Sequence, residues 1–188
     1  MQLLWFKCFH VQIIKVRFSP KNNFKAKKKI TKTNSLKRLT ISLLLISTIS
    51  TLYSQTPLDY KVFEKINEYR GENKLPELEW SDKIFHAAKH HIEYMIKDKV
   101  LAHAEKNNTP GPSNRVELYG VKWRSVGEIL TVIHVAEVSE DIKATRIVQS
   151  WKESPGHNEI MLTKDFTHGA SSCGLGTLKI HGDWPWLL

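Results

Sequence analysis

Between Ser81 and Met95 the chain repeats with a helical period: Ile84, Ala87, Ala88, His91 and Met95 stand at i, i+3, i+4, i+7 and i+11. That spacing gathers them on one face of a helix that Ser81 can cap. Upstream, Asp59 can cap a helix running to about Arg70, with Phe63, Ile66 and Tyr69 or Arg70 near one face and Gly71 ending it. The stretch "NKLPELEW" that follows is an extended connector carrying Leu75, Leu78 and Trp80. From His103 to Trp123 the pattern dissolves into Asn-Asn, Pro-Gly-Pro and Ser-Asn, the chemistry of a long loop. After Gly127–Glu128, the run "EILTVIHVAEV" suits a strand or a buried helix equally, because periodicity cannot separate the two in a short apolar run.

Ser139 then caps a helix to about Glu153, with Ile142, Thr145, Val148 or Gln149, and Lys152 in register and Trp151 nearby. Trp151 reads as core. Pro155 cannot continue that helix and Gly156 relieves the backbone at the corner; a short helix with Ile160 and Leu162 restarts behind them. "GASSCGLGTLKI" has the small residues and alternation of a closely packed strand, and "DWPWLL" opens another. Helices lead and strands follow without βαβ alternation, so the class is α+β.

Charge divides the chain of 188 residues. Residues 1–54 hold eleven Lys and Arg and no acid, which leaves 17 of the 28 bases against all 19 acids in residues 55–188. The overall +9 therefore belongs to the first 54 residues, and the near-neutral remainder offers no electrostatic case for nucleic acid. Basic residues through Lys37 and Arg38 precede the uncharged run "LTISLLLISTISTLYS", with its apolar part at about 39–53. This is the order of a signal peptide, cut behind Ser54 to expose Gln55. An uncleaved anchor, the alternative, would be the one membrane attachment. Residues 1–29 are long and mixed for a basic signal region, which points to a start near Ile30. The expected organisation is a leader over 1–54 and one domain over 55–188, exported to the periplasm or the medium. Cys8 falls in the leader, so only Cys173 remains after processing and no internal disulfide can form.

Eight histidines follow the leader. His86 and His90 lie at i, i+4 on a polar helix face and read as solvated, His91 as a core histidine bonded to backbone. His134, His168 and His181 have no local company. His103 and His157 each stand beside backbone punctuation with acids in reach: Glu105 and Glu128 for the first, Glu153 and Glu159 for the second. Two imidazoles with carboxylates suit a first-row divalent metal, zinc first among them. Glu128 fits equally as an acid in the first turn of a helix.

"SPGH" after Trp151, Glu128 after Gly127, and His103 ahead of "PSNRVELYG" resemble the bacterial branch of the CAP superfamily. That group takes in cysteine-rich secretory proteins, antigen 5 and pathogenesis-related proteins, and its domain is also called SCP-like. The likeness runs from about Tyr60 to Gly176 and includes "INEYRGENKLPELEWSDKI". It implies a three-layer α-β-α sandwich around a short antiparallel sheet and a cleft lined by two histidines and two acids. Carried over, these are His103, His157 and Glu128, with Glu153 as the second acid. Glu153 sits one position before the family's place, which Ser154 occupies, and Ile129 stands where many members have Asn. Pro155 and Gly156 then serve to present His157, and Arg115 is a structural ion pair or a clamp on loop carbonyls.

Three functions follow, in order of preference. The first is an exported binding module whose cleft takes a divalent metal, a small molecule or a lipid. The second is an extracellular protein-interaction domain without metal, and the third a zinc-assisted hydrolase with Glu128 as base. No Ser-His-Asp or Cys-His signature assigns a nucleophile, so an enzyme is the lesser expectation.

Overall fold

The computed structural model describes residues 6–8, 11–16, 55–135 and 138–176. The chain divides into two compact units, Met1–Arg17 with Gln55–Leu188, and Phe18–Ser54. The second unit, the apolar run at 39–53 and the final "DWPWLL" lie outside the described residues.

Two short strands come first, β1 (Phe6–Cys8) and β2 (Val11–Val16). Helix α1 (Pro57–Glu72) starts earlier than its pattern suggested. Thr56 is its cap, and Asp59 completes the reciprocal box: Asp59 N–H donates to Thr56 Oγ1, and Thr56 N–H to Asp59 Oδ2 at 2.6 Å. Gly71 lies inside the last turn, and Lys74 takes the left-handed turn (φ 58°) instead. Strand β3 (Glu79–Trp80) leads into α2 (Asp82–Asp98), which buries Ile84, Ala87, Ala88, His91 and Met95 as the spacing required. The expected long loop contains a helix, α3 (Pro112–Leu118), started by Pro112.

The ambiguous apolar run is extended, as β4 (Trp123–Ile129) and β5 (Ile133–Val135). Glu128 therefore stands on a strand and not at a helix start. Ser139 caps α4 (Glu140–Lys152) through Ile142 N–H, but the buried stripe is Ala144, Ile147, Val148 and Trp151, and Ile142 is exposed. The stripe is turned because Trp151, fully buried, decides which face meets the core. Pro155 and Gly156 are the first turn of α5 (Pro155–Met161), with Ser154 at its N-cap position, and Met161 is its buried residue. Strand β6 (His168–Ser171) closes the described chain.

The main sheet has the order β3-β6-β2-β4. It is antiparallel except for the two-residue parallel pairing of β3 with β6. Val11–Ile14 of β2 lie opposite Ser171–His168 on one side and Ile129–Val126 on the other. β1 pairs separately with β5. β2 thus lies between β6 and β4.

Helices cover both sheet faces. α1, α4 and α5 enclose one cluster with Ile66, Ile129, Ile147, Trp151, Met161 and Phe166. α2 and α3 enclose another with Ile84, Phe85, Val116 and Ala170, against which Val126 packs. Val126 and Ile129 meet opposite layers because strand side chains alternate. The architecture is the expected α+β sandwich of three layers. Arg70 fastens its lower layer: Nε donates to Pro76 O at 3.0 Å, Nη1 to Met161 O at 2.7 Å and Thr163 O at 3.1 Å, and Nη2 to Phe166 O at 3.4 Å. The carbonyl clamp anticipated at Arg115 is most fully realised by Arg70, whose fork of donors satisfies several carbonyls at once.

Candidate functional site: a two-histidine cleft on a buried ionic network

β4 is the edge strand of the main sheet, and pleating turns Glu128 to the α2–α3 side, the side on which Val126 packs. Glu128 is buried with both oxygens engaged. Oε1 meets His103 Nδ1 at 2.8 Å, and Oε2 accepts from Arg115 Nη2 at 2.5 Å. A carboxylate accepts only, so His103 carries a proton on Nδ1, and its side chain is 56% exposed. Arg115, on α3, is fully buried. Its Nη1 also donates to His103 O at 3.1 Å and lies 3.4 Å from Glu105 Oε1. Arg115 is thus both the ion pair and a carbonyl donor, and it holds the loop that presents His103.

Glu105 is the residue whose place the spacing did not reveal. Its loop folds around it: Glu105 N–H donates to Pro110 O, and Oε2 accepts from Asn107 Nδ2 at 2.6 Å and Thr109 Oγ1 at 3.0 Å. Burial pushes the Glu105 carboxyl up, but hydrogen bonds from Asn107 and His91, the Arg115 charge and Thr109 outweigh it and hold it below the ordinary range. Oε1 meets His91 Nδ1 at 2.7 Å, while His91 Nε2 meets Ala102 O at 2.8 Å. His91 is therefore a core histidine bonded to backbone, as expected, and also half of a buried pair. Burial lowers its affinity for a proton, with Glu128 and Glu105 opposing and Arg115 assisting. The neutral ring carries one N–H, and placed on Nδ1 it donates to the Glu105 carboxylate at 2.7 Å.

Glu105 and Glu128 bring two negative charges to this interior and Arg115 one positive, so Arg115 is the cation both carboxylates share. A "T-P" pair in the loop, Asn107 two residues from Glu105, was the available signal for an acid-centred turn, but nothing local pointed to His91.

His157 stands in the first turn of α5, half-buried. Burial lowers its proton affinity and the nearby His103 lowers it further, so the two rings are close enough to feel one another. Among the described residues neither His157 nor His103 Nε2 has a hydrogen-bond partner. The structure joins His103 to Glu128, and His157 lies within electrostatic range of His103. It leaves Glu153 out: this residue caps α4 at the exposed surface and accepts from Gln149 Nε2 at 2.8 Å. One residue of helix is about 100°, enough to turn it away. Among the described residues no three His, Cys, Asp or Glu side chains gather into a metal-holding group. Half-exposed His90 and His86 lie against Tyr119, and His90 Nε2 is 3.3 Å from Glu105 Oε2.

The small sheet with helices on both faces is the α+β sandwich that the resemblance implied. The sequence model of the cysteine-rich secretory protein family, CAP, matches residues 63–177, and the chain belongs to that family. An extracellular protein containing an SCP domain from Bacillus anthracis str. Ames superposes with a TM-score of 0.53 at 19% identity. The match covers 66% of this chain and 45% of that one, so the chain spans less than half the length of that protein. An outer surface protein from Borrelia burgdorferi gives a TM-score of 0.47 at 20% identity, over 62% of this chain and 90% of that one. No curated protein matches.

Proposed function

We propose that the chain is an exported CAP-domain binding module whose cleft takes a small ligand through His103 and His157, with a divalent ion as the simplest candidate. The observation that carries this is the pair of unengaged ring nitrogens beside a carboxylate that already orients one of them. Ligating histidines characteristically donate their other N–H to a carboxylate, and His103 Nδ1 and Glu128 Oε1 have this arrangement. The residues fit a two-imidazole site in which water would complete the coordination. Zinc bound there would supply Lewis acidity, while His103 and His157 would hold it and Glu128 would fix the ring of His103. The third reading, a hydrolase with Glu128 as base, is the least supported, since both of its oxygens are committed to His103 and Arg115.

Export is supported by the signal-like order of residues 30–54 and by the extracellular SCP protein that shares the fold. Among the described residues no helix is long and apolar enough to cross a membrane. Zinc calorimetry on the full chain at pH 7.5, beside a His103→Ala/His157→Ala variant, tests the reading. One-to-one binding that the variant loses, with its urea midpoint unchanged, is the expected result. Equal binding by both proteins would remove the cleft from the proposal, and no binding by either would favour the metal-free interaction domain.

A further inference from the structure

His86 and His90 stand one turn apart on the polar face of α2, and Tyr119, at the C-cap of α3, reaches both of them. The His86 ring lies close to parallel with the Tyr119 ring, at 24° and 6.0 Å between centroids. The His90 ring meets it edge-on, at 76° and 6.2 Å. Residues four apart on a helix are neighbours, so two imidazoles and a phenol border one small space. All three residues are half-buried. Tyr119 is held in place by its packing against the cluster of Ile84, Phe85 and Val116, and Gly120 turns the chain behind it with φ 71°.

The polar contacts orient these donors. His90 Nε2 lies 3.3 Å from Glu105 Oε2, and Tyr119 Oη lies 3.4 Å from His90 Nδ1. A carboxylate accepts only, so neutral His90 carries its proton on Nε2 and turns the Nδ1 lone pair to Tyr119 Oη. As a hydrogen bond from a hydroxyl, 3.4 Å is long, since such bonds ordinarily end near about 3.0 Å. As the separation of two ligands on one ion it is ordinary. Two donors each about 2.0 Å from a metal stand about 3.3 Å apart at the tetrahedral angle. Glu105 adds the arrangement in which a ligating imidazole donates its far N–H to a carboxylate, and it brings negative charge close to where a dication would sit.

We propose that His86, His90 and Tyr119 form a metal site separate from the two-histidine cleft, for a late first-row divalent ion with copper(II) preferred. Two imidazoles and a phenolate are a nitrogen-and-oxygen donor set of the kind copper(II) favours, and copper(II) stands above zinc in affinity for such ligands. As the bond from Tyr119 Oη to the ion forms, the phenol proton leaves to solvent, because a ligand must be deprotonated to bind. Water completes the coordination. The third protein donor is a phenol, so the site needs no third His, Cys, Asp or Glu.

The test uses the full chain carrying His103→Ala and His157→Ala, so that none of its results depends on whether the cleft takes an ion. Thiols are capped before copper(II) is added, and uptake is followed by calorimetry and visible absorption. The site predicts one-to-one uptake with a phenolate-to-copper charge-transfer band. Tyr119→Phe in that background should lose the band and bind at least about tenfold weaker, since even a supporting partner of a ligand contributes that much. His86→Gln/His90→Gln should lose one-to-one uptake, with urea midpoints showing that both variants fold. A band that survives in Tyr119→Phe overturns the proposal, as does uptake by the double glutamine variant equal to that of its parent. Uptake without a band, or no one-to-one uptake by the parent, overturns it equally.

Discussion

Replacing Arg115 by Met tests the buried ionic network directly. The guanidinium lies 2.5 Å from Glu128 Oε2 and 3.4 Å from Glu105 Oε1, and all three side chains are almost wholly excluded from solvent. At an effective dielectric constant near 20, a pair of unit charges about 4 Å apart is worth roughly 4 kcal/mol. Two such attractions vanish in the variant, while the cost of burying the guanidinium vanishes with them. Breaking a buried pair from one side generally costs about 3–5 kcal/mol, and that is the expected loss in urea unfolding of the full chain at pH 7.5. The pH dependence separates electrostatics from lost packing. Without Arg115 the buried carboxylates lose the cation they share, and uptake of a proton relieves the uncompensated charge. The folded variant then binds more protons than the unfolded one, so its deficit grows as pH rises and shrinks as pH falls. The deficit at pH 5.5 should therefore be smaller than at pH 7.5. A loss below about 1 kcal/mol, or a deficit that does not change with pH, would refute the network as described.

Two further outcomes follow from the same coordinates. His157 has its folded-state value lowered from the ordinary 6.5 by burial and by His103. Between that lowered value and 6.5 the unfolded chain binds more protons, so this contribution to stability is present above 6.5 and lost as pH falls through the window. Urea midpoints measured from pH 7.5 to 5 should fall more steeply for the parent than for His157→Asn, and parallel curves would contradict the assignment. Trp151, fully buried in the α1–α4 cluster, should cost about 3–5 kcal/mol when replaced by Ala, whereas His103→Ala, on an exposed ring, should cost less than about 1 kcal/mol. Equal losses would mean that His103 serves the fold rather than a ligand.

Local physics made much of this molecule legible in its sequence. The face of α2 follows from the spacing of Ile84, Ala87, Ala88, His91 and Met95, because about 3.6 residues per turn is a property of the backbone alone. Ser139 and the corner at Ser154–Gly156 mark real helix starts for local reasons as well: the Ser139 hydroxyl meets an orphan N–H of the first turn, and Pro155 stands where no N–H is needed. The order of His103, Gly127–Glu128, Trp151 and His157 carried the family likeness.

Tertiary structure decided the rest. Which stripe of α4 is buried depended on the partner surface: Ile142, in perfect register, lies outside while Ala144 and Ile147 lie within. Glu153 closes α4 at the surface beside Gln149. Glu105 found its partners His91 and Arg115 only through packing, because hydrogen bonds spanning 14 residues of chain leave no periodic trace. The place of residues 11–16 between β4 and β6 is likewise a matter of pairing that no feature of their composition announces. Composition registers charge and mean hydropathy, but strand pairing is set by backbone groups that every sequence carries and that only a neighbouring strand can satisfy.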